Sequence, residues 1–148
     1  MPRFALSQRT SATSAGSAAW EIRVPSTMIN RVRLLEFGIS QNAATAGVFG
    51  IGRPAAIGVT PTSPVNFLPL DPGEGGVAPA GNTTACVAWG TPPTVPTQFY
   101  WRMSFQALVG TPYVWWPEQL FIQPGWSLVL WIIATAPVCD VWAIINEP

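Results

Sequence analysis

At 148 residues the chain has the length of one ordinary domain, enough to bury a real core. Hydrophobic residues make up 49% of it and charged residues only 9%, well below the quarter typical of soluble domains. Seven arginines balance seven acids, with no lysine and no histidine, so a formal charge of zero leaves no electrostatic footprint for nucleic acid or an anionic membrane.

After an apolar start at Phe4 to Leu6, the stretch TSATSAGSAA (Thr10 to Ala19) is small and polar and predicts a flexible arm or loop. Residues 1–19 are accordingly expected as an N-terminal arm, and residues 20–148 as one β domain. WEIRVP (Trp20 to Pro25) alternates, with Trp20, Ile22 and Val24 on one face and Glu21 and Arg23 on the other. In NRVRLLEFGIS (Asn30 to Ser40), Leu35, Phe37 and Ile39 are expected to share a face. VFGIGRPAAIG (Val48 to Gly58) predicts one bent strand, kinked by glycine and stopped or interrupted at Pro54. From Thr60 to Gly81 five prolines and no alternation predict a long ordered excursion, and such loops are usually functional or interfacial. Strands resume at TTACVAWG (Thr83 to Gly90) and break at Thr91-Pro92-Pro93. Thr97 to Phe105 alternates most cleanly, with Phe99, Trp101, Met103 and Phe105 inward and Tyr100, Arg102 and Ser104 outward. YVWWPEQLFIQPGWS (Tyr113 to Ser127) follows, and Pro124-Gly125 marks a turn.

The ending, SLVLWIIATAPVCDVWAIINEP (Ser127 to Pro148), is apolar enough to raise the question of a membrane anchor. A spanning helix needs roughly 20 unbroken apolar residues. Pro137 interrupts the run and Asp140 would sit near the bilayer centre, so no membrane is expected. Its Val, Ile, Trp and Thr residues favour strands. They predict two, at about 127–135 and 138–146, joined as a hairpin by a tight turn at Ala136-Pro137. Leu128, Leu130 and Ile132 oppose Val129, Trp131 and Ile133, so both faces are apolar. A sandwich has one inside, and the second face is expected to meet another subunit.

Chemistry near neutral pH is scarce. Without histidine there is no Ser-His-Asp arrangement and no imidazole metal ligand, and without lysine no Schiff base. Asp71 and Glu74 could form a carboxylate pair but read better as polar residues in a surface turn. GIGRPA (Gly50 to Ala55) begins like a dinucleotide fingerprint, yet no helix pattern follows it. Cys86 and Cys139 read as two small buried residues, and sequence alone does not bring them within bonding distance. The N-terminus lacks a signal-peptide pattern, which takes weight from the glycosylation sequon at Asn82. The chain is expected not to be an enzyme and to need no cofactor or metal. Trp115-Trp116, Trp126, Trp131 and Trp142 could stack sugars, but neighbours on a strand point to opposite faces, which favours packing and subunit contact. Arg33, Glu36 and Arg102 lie in apolar strands and are expected in ion pairs, including pairs between subunits.

Short strands separated by Gly and Pro, about eight in all and without an amphipathic helix, predict an all-β sandwich of antiparallel strands. Long early Pro/Gly-rich loops favour a jelly roll. RVRLLEFGIS (31–40), GIGRPAAIGVTPTS (50–63) and PGWSLVLWIIATAPVCDVWAIINE (124–147) resemble the jelly-roll decoration, or cement, proteins of tailed bacteriophage capsids. The resemblance implies a homo-oligomer, a trimer in preference to a dimer, assembled in the host cytoplasm. It would sit on the outer surface of the virion and bridge neighbouring major capsid proteins. The alternative is a carbohydrate- or receptor-binding sandwich of a phage tail or head fibre. Subunit-interface candidates are Trp115, Trp116, Trp131, Ile133 and Arg102. Capsid-contact candidates are Arg3, Phe4 and Arg9 from the arm, with Phe67 and Leu68 from the excursion.

Overall fold

The closing apolar run folds as two strands but not as a hairpin. In a computed structural model of the chain they lie in different sheets. The structure describes residues 2–148 except 12–13, 42, 72–80, 108–109, 111 and 136, so the expected turn at Ala136-Pro137 falls partly outside the described residues. In chain order the strands are β1 (Arg3–Arg9), β2 (Ala18–Arg23), β3 (Val32–Gln41), β4 (Gly47–Gly52) and β5 (Val59–Pro61). Next come β6 (Val65–Asn66), β7 (Leu68–Pro69), β8 (Thr84–Cys86), β9 (Trp89–Thr91) and β10 (Trp101–Phe105). The last are β11 (Tyr113–Trp115), β12 (Leu120–Ile122), β13 (Ser127–Ala134) and β14 (Cys139–Asn146). No helix occurs among the described residues, so none is available to cross a membrane or to follow the glycine motif at β4.

Two six-stranded antiparallel sheets form a β-sandwich. The first has the order β11-β3-β14-β1-β7, with β12 also on β3; the second has the order β10-β4-β13-β2-β8-β6. A two-stranded ribbon, β5-β9, stands apart. β13 and β14 are each the central strand of their own sheet, which is why both are apolar and why they do not pair with each other. Their facing side chains, including Leu128, Leu130 and Ile132 on β13 and Val141, Ala143 and Ile145 on β14, meet in the core between the sheets.

Local departures from the expected pattern have packing causes. Residues 3–9 are a paired strand between β14 and β7 rather than a flexible arm. Phe4 and Leu6 enter the core, and burying each stabilises by about 1.5–3 kcal/mol. In β3 the register against β14 shifts between Ile144 and Ile145, leaving Leu35 as an extra residue. Val32, Leu34, Phe37 and Ile39 therefore face the core, and Leu35 is only half-buried. Trp101, Met103 and Phe105 of β10 point inward as expected. Phe99 does not, because the chain before β10 has crossed to the outer face of the second sheet.

That outer face is covered by the chain itself. Ala18, Val129 and Trp131 form a second cluster there, under Trp89 and Phe99. A Cβ placed on Gly50 would lie 2.7 Å from the Phe99 ring, so glycine at this position lets the returning segment rest directly on the sheet. The second apolar face of β13 meets residues between β4 and β10, and Trp131 is 1% exposed in the single chain. No second subunit is needed to cover it.

Candidate functional surface

The outer face of the first sheet carries no such cover among the described residues. Its side chains follow from the register. Ala5 of β1 pairs Ile144 of β14, which pairs Glu36 of β3; the next outward row is Ser7, Trp142 and Gly38; the third is Arg9, Asp140 and Ser40. Leu68 of β7 pairs Ala5 on the other side. Small residues along β1 thus lie between Trp142 and Ile144 on one flank and Leu68 and Leu70 on the other. The result is an apolar groove of about 440 Å³. Leu68 is 63% exposed and Leu70 53%, and with Trp142 and Ile144 they form a contiguous apolar patch rather than scattered surface leucines. Arg3 and Arg9 stand outward at the two ends of the same strand, and Arg9 lies 3.9 Å from Asp140 in an exposed pair that adds little stability.

Beside the groove, Glu36 organises two indoles. Trp142 donates its Nε1–H to Oε1 at 2.8 Å, and Trp116 donates its own to Oε2 at 3.0 Å. The Trp142 ring lies over Gly38, where an added Cβ would fall 1.9 Å from it. Trp116 follows β11 at the sheet edge and is 66% exposed. Around that edge is an open cleft of about 520 Å³ lined by Trp101, Pro112, Tyr113, Val114, Trp115 and Trp116. The Trp101 ring packs at a tilt 5.0 Å from Tyr113 and 5.1 Å from Trp115, so the cleft floor is an aromatic cluster joined to the core.

Two further carboxylates, Glu21 and Glu147, serve the fold. Glu21 is fully buried on the outer face of β2, where it accepts from Trp89 Nε1 at 2.6 Å and Gly58 N at 3.4 Å. Arg23 lies 4.0 Å from it and also donates to the Gly58 carbonyl. Glu147 accepts the backbone N–H groups of Asn82 at 2.6 Å and Thr83 at 2.9 Å. Cys86 and Cys139 are free and buried, as their isolation in the sequence predicts. Burial pushes the Cys86 thiol up to about 12, with the Glu21 carboxylate adding to the effect. Burial, then Asp140, pushes the Cys139 thiol up to about 12. No group of three metal-ligating side chains occurs among the described residues, and Glu74, expected with Asp71 in a surface turn, lies outside them.

The nominated residues therefore separate. Trp131 is covered by the chain's own segment, and Ile133 is half-buried beside it against Gly50. Trp115 belongs to the aromatic floor, Trp116 is exposed above it, and Arg102 is exposed on the outer side of β10 opposite Gly50. Phe4 and Phe67 are core residues and offer no contact surface. Arg3, Arg9 and Leu68 share the outer face of the first sheet. Arg33 does not pair with Glu36; it donates to the Glu118 carbonyl, while Glu36 holds the two indoles. The lone acid in RLLEFG signalled a polar partner but not that the partner would be tryptophan. Glu21 and Glu147 gave no such signal, since their donors come from residues 37 to 68 positions away. Comparison with family models, with curated proteins and with solved structures finds no match for the chain.

Proposed function

We propose that the chain is a non-enzymatic structural protein of a virion, a homotrimeric capsid decoration protein whose sandwich is a jelly roll. It bridges neighbouring major capsid proteins on the outer surface of the shell. The strand order supports the jelly roll. Consecutive long strands β1 to β4 alternate between the sheets, and the last two insert among them, β14 between β1 and β3 and β13 between β2 and β4. β10 then extends the β4 edge and β11 with β12 the β3 edge, an order that supports the reading as two nested Greek keys.

One observation carries the docking role. The outer face of the second sheet is sealed by the chain's own segment, whereas the groove along β1 leaves Leu68, Leu70, Ile144 and Trp142 without a protein cover among the described residues. Arg3 at one end of the groove and the exposed Arg9–Asp140 pair at the other suit polar and charged groups on the shell protein, which would set orientation more than affinity.

The test is co-sedimentation of the purified protein with undecorated shells of the same virus. Saturable binding at a fixed ratio to the shell protein is expected. The double variant Leu68→Asp/Ile144→Asp, both outward positions, should fold with an unchanged circular dichroism spectrum and lose binding by at least about a hundredfold. A wild-type protein that does not bind shells would sink the decoration role. A folded double variant that binds normally would sink the groove as its surface.

A further inference from the structure

We infer that the cleft at the β11 edge is a binding site for a neutral oligosaccharide. This does not rest on the decoration role, since the cleft and the β1 groove lie at opposite edges of the same sheet.

Trp116 is two-thirds exposed, yet its ring is fixed through Nε1–H to the Glu36 carboxylate, which also fixes Trp142. An indole held in one orientation in water has already lost the rotational freedom that a ligand would otherwise have to remove. Its π face is electron-rich and flat, and a pyranose ring presents a matching face of polarised C–H groups. Tyr113, 43% exposed in the lining of the same cleft, supplies a phenol that can both donate to and accept from sugar hydroxyls. The cleft volume of about 520 Å³ falls inside the usual range for small-ligand sites, about 300–1,000 Å³.

Charge narrows the class. The carboxylate behind Trp116 disfavours uronic and sialic acids, and it disfavours phosphate-bearing chains for the same reason. Flat neutral hexose or N-acetylhexosamine units remain. Glu36 acts here as a positioning residue, because both its oxygens are engaged by indoles rather than directed into the cleft.

The probes are the hexasaccharides of cellulose, amylose, chitin, mannan and β-galactan, with oligogalacturonate as the anionic control. The readout is the tryptophan indole N–H region of the NMR spectrum, titrated to millimolar sugar. At least one neutral probe should shift the Trp116 resonance saturably, with a dissociation constant of about 1 mM or tighter. Trp116→Ala should weaken that binding by about tenfold or more, and Tyr113→Phe, which removes the hydroxyl and keeps the packed ring, should weaken it by at least about threefold, both with the melting temperature unchanged. Glu36→Gln, which leaves one carbonyl for two donors, should displace the Trp116 and Trp142 indole resonances before any sugar is added. Leu68→Asp/Ile144→Asp should bind sugar normally, and Trp116→Ala should still bind shells. Failure of all five neutral probes overturns the inference, as does full binding by Trp116→Ala. Equal binding of oligogalacturonate overturns the neutral class.

Discussion

Cys86 lies under the covering segment with its Sγ 3.7 Å from a Glu21 carboxylate oxygen, and Cys139 is buried in the main core. Both thiols titrate near 12 in the folded chain, against an ordinary value of 9.0. The folded state therefore holds two protons that the unfolded chain releases first. Their contribution to stability is fully present below pH 9 and is lost as pH rises toward 12. The slope is about 1.4 kcal/mol per pH unit for each thiol. Urea unfolding from pH 8 to 11 should show a steeper alkaline loss in the wild type than in Cys86→Ala/Cys139→Ala. Parallel curves would mean that the thiols are not buried as described.

β13 shows what an apolar run on both faces can mean. Leu130 and Ile132 face the sandwich core, whereas Val129 and Trp131 face the segment that returns across Gly50. Each face is closed by residues of the same chain. Leu130→Asp and Trp131→Asp should thus behave alike, each costing more than about 4 kcal/mol because a carboxylate would be buried without a partner. Expression of both as insoluble protein is the expected result. A soluble, natively folded Trp131→Asp would show that the covering segment opens without loss of the sandwich.

The excursion between β4 and β10 is built into both sheets. It adds β8 and β6 to the β2 edge, places β7 on the β1 edge, and covers β13 from outside. Two buried acids hold it: Glu21 at Gly58 and Trp89, and Glu147 at Asn82 and Thr83. Glu147→Ala would strand the buried Thr83 N–H and leave the part-buried Asn82 N–H to water, at a cost of about 1–3 kcal/mol. Hydrogen exchange should accelerate first at residues 81–86, before the paired strands β13 and β14. Uniform acceleration along the chain would show instead that the excursion and the sandwich unfold as one unit. Because Leu68 and Leu70 enter through this excursion, its anchoring also determines whether the β1 groove exists.

Much of the local structure was legible. The β-branched and aromatic runs marked β13 and β14 within a residue or two of their ends. Pro124-Gly125 marked a turn, closed by Trp126 N–H on the Gln123 carbonyl with Gly125 at φ 75°. The alternation from Trp101 to Phe105 matched its pleat. These signals are local, set by side-chain shape and backbone preference within a few residues. What they left open was which strand pairs with which. An apolar face looks the same whether the core, the chain's own excursion or another molecule covers it. Trp131, Phe67 and Trp116 are all large aromatic side chains, yet only Trp116 remains in water. The amino-acid sequence by itself determined an all-β chain, its main strands and its poverty of catalytic groups. The tertiary structure alone decided which apolar faces were already closed, because that depends on contacts between residues far apart in the chain.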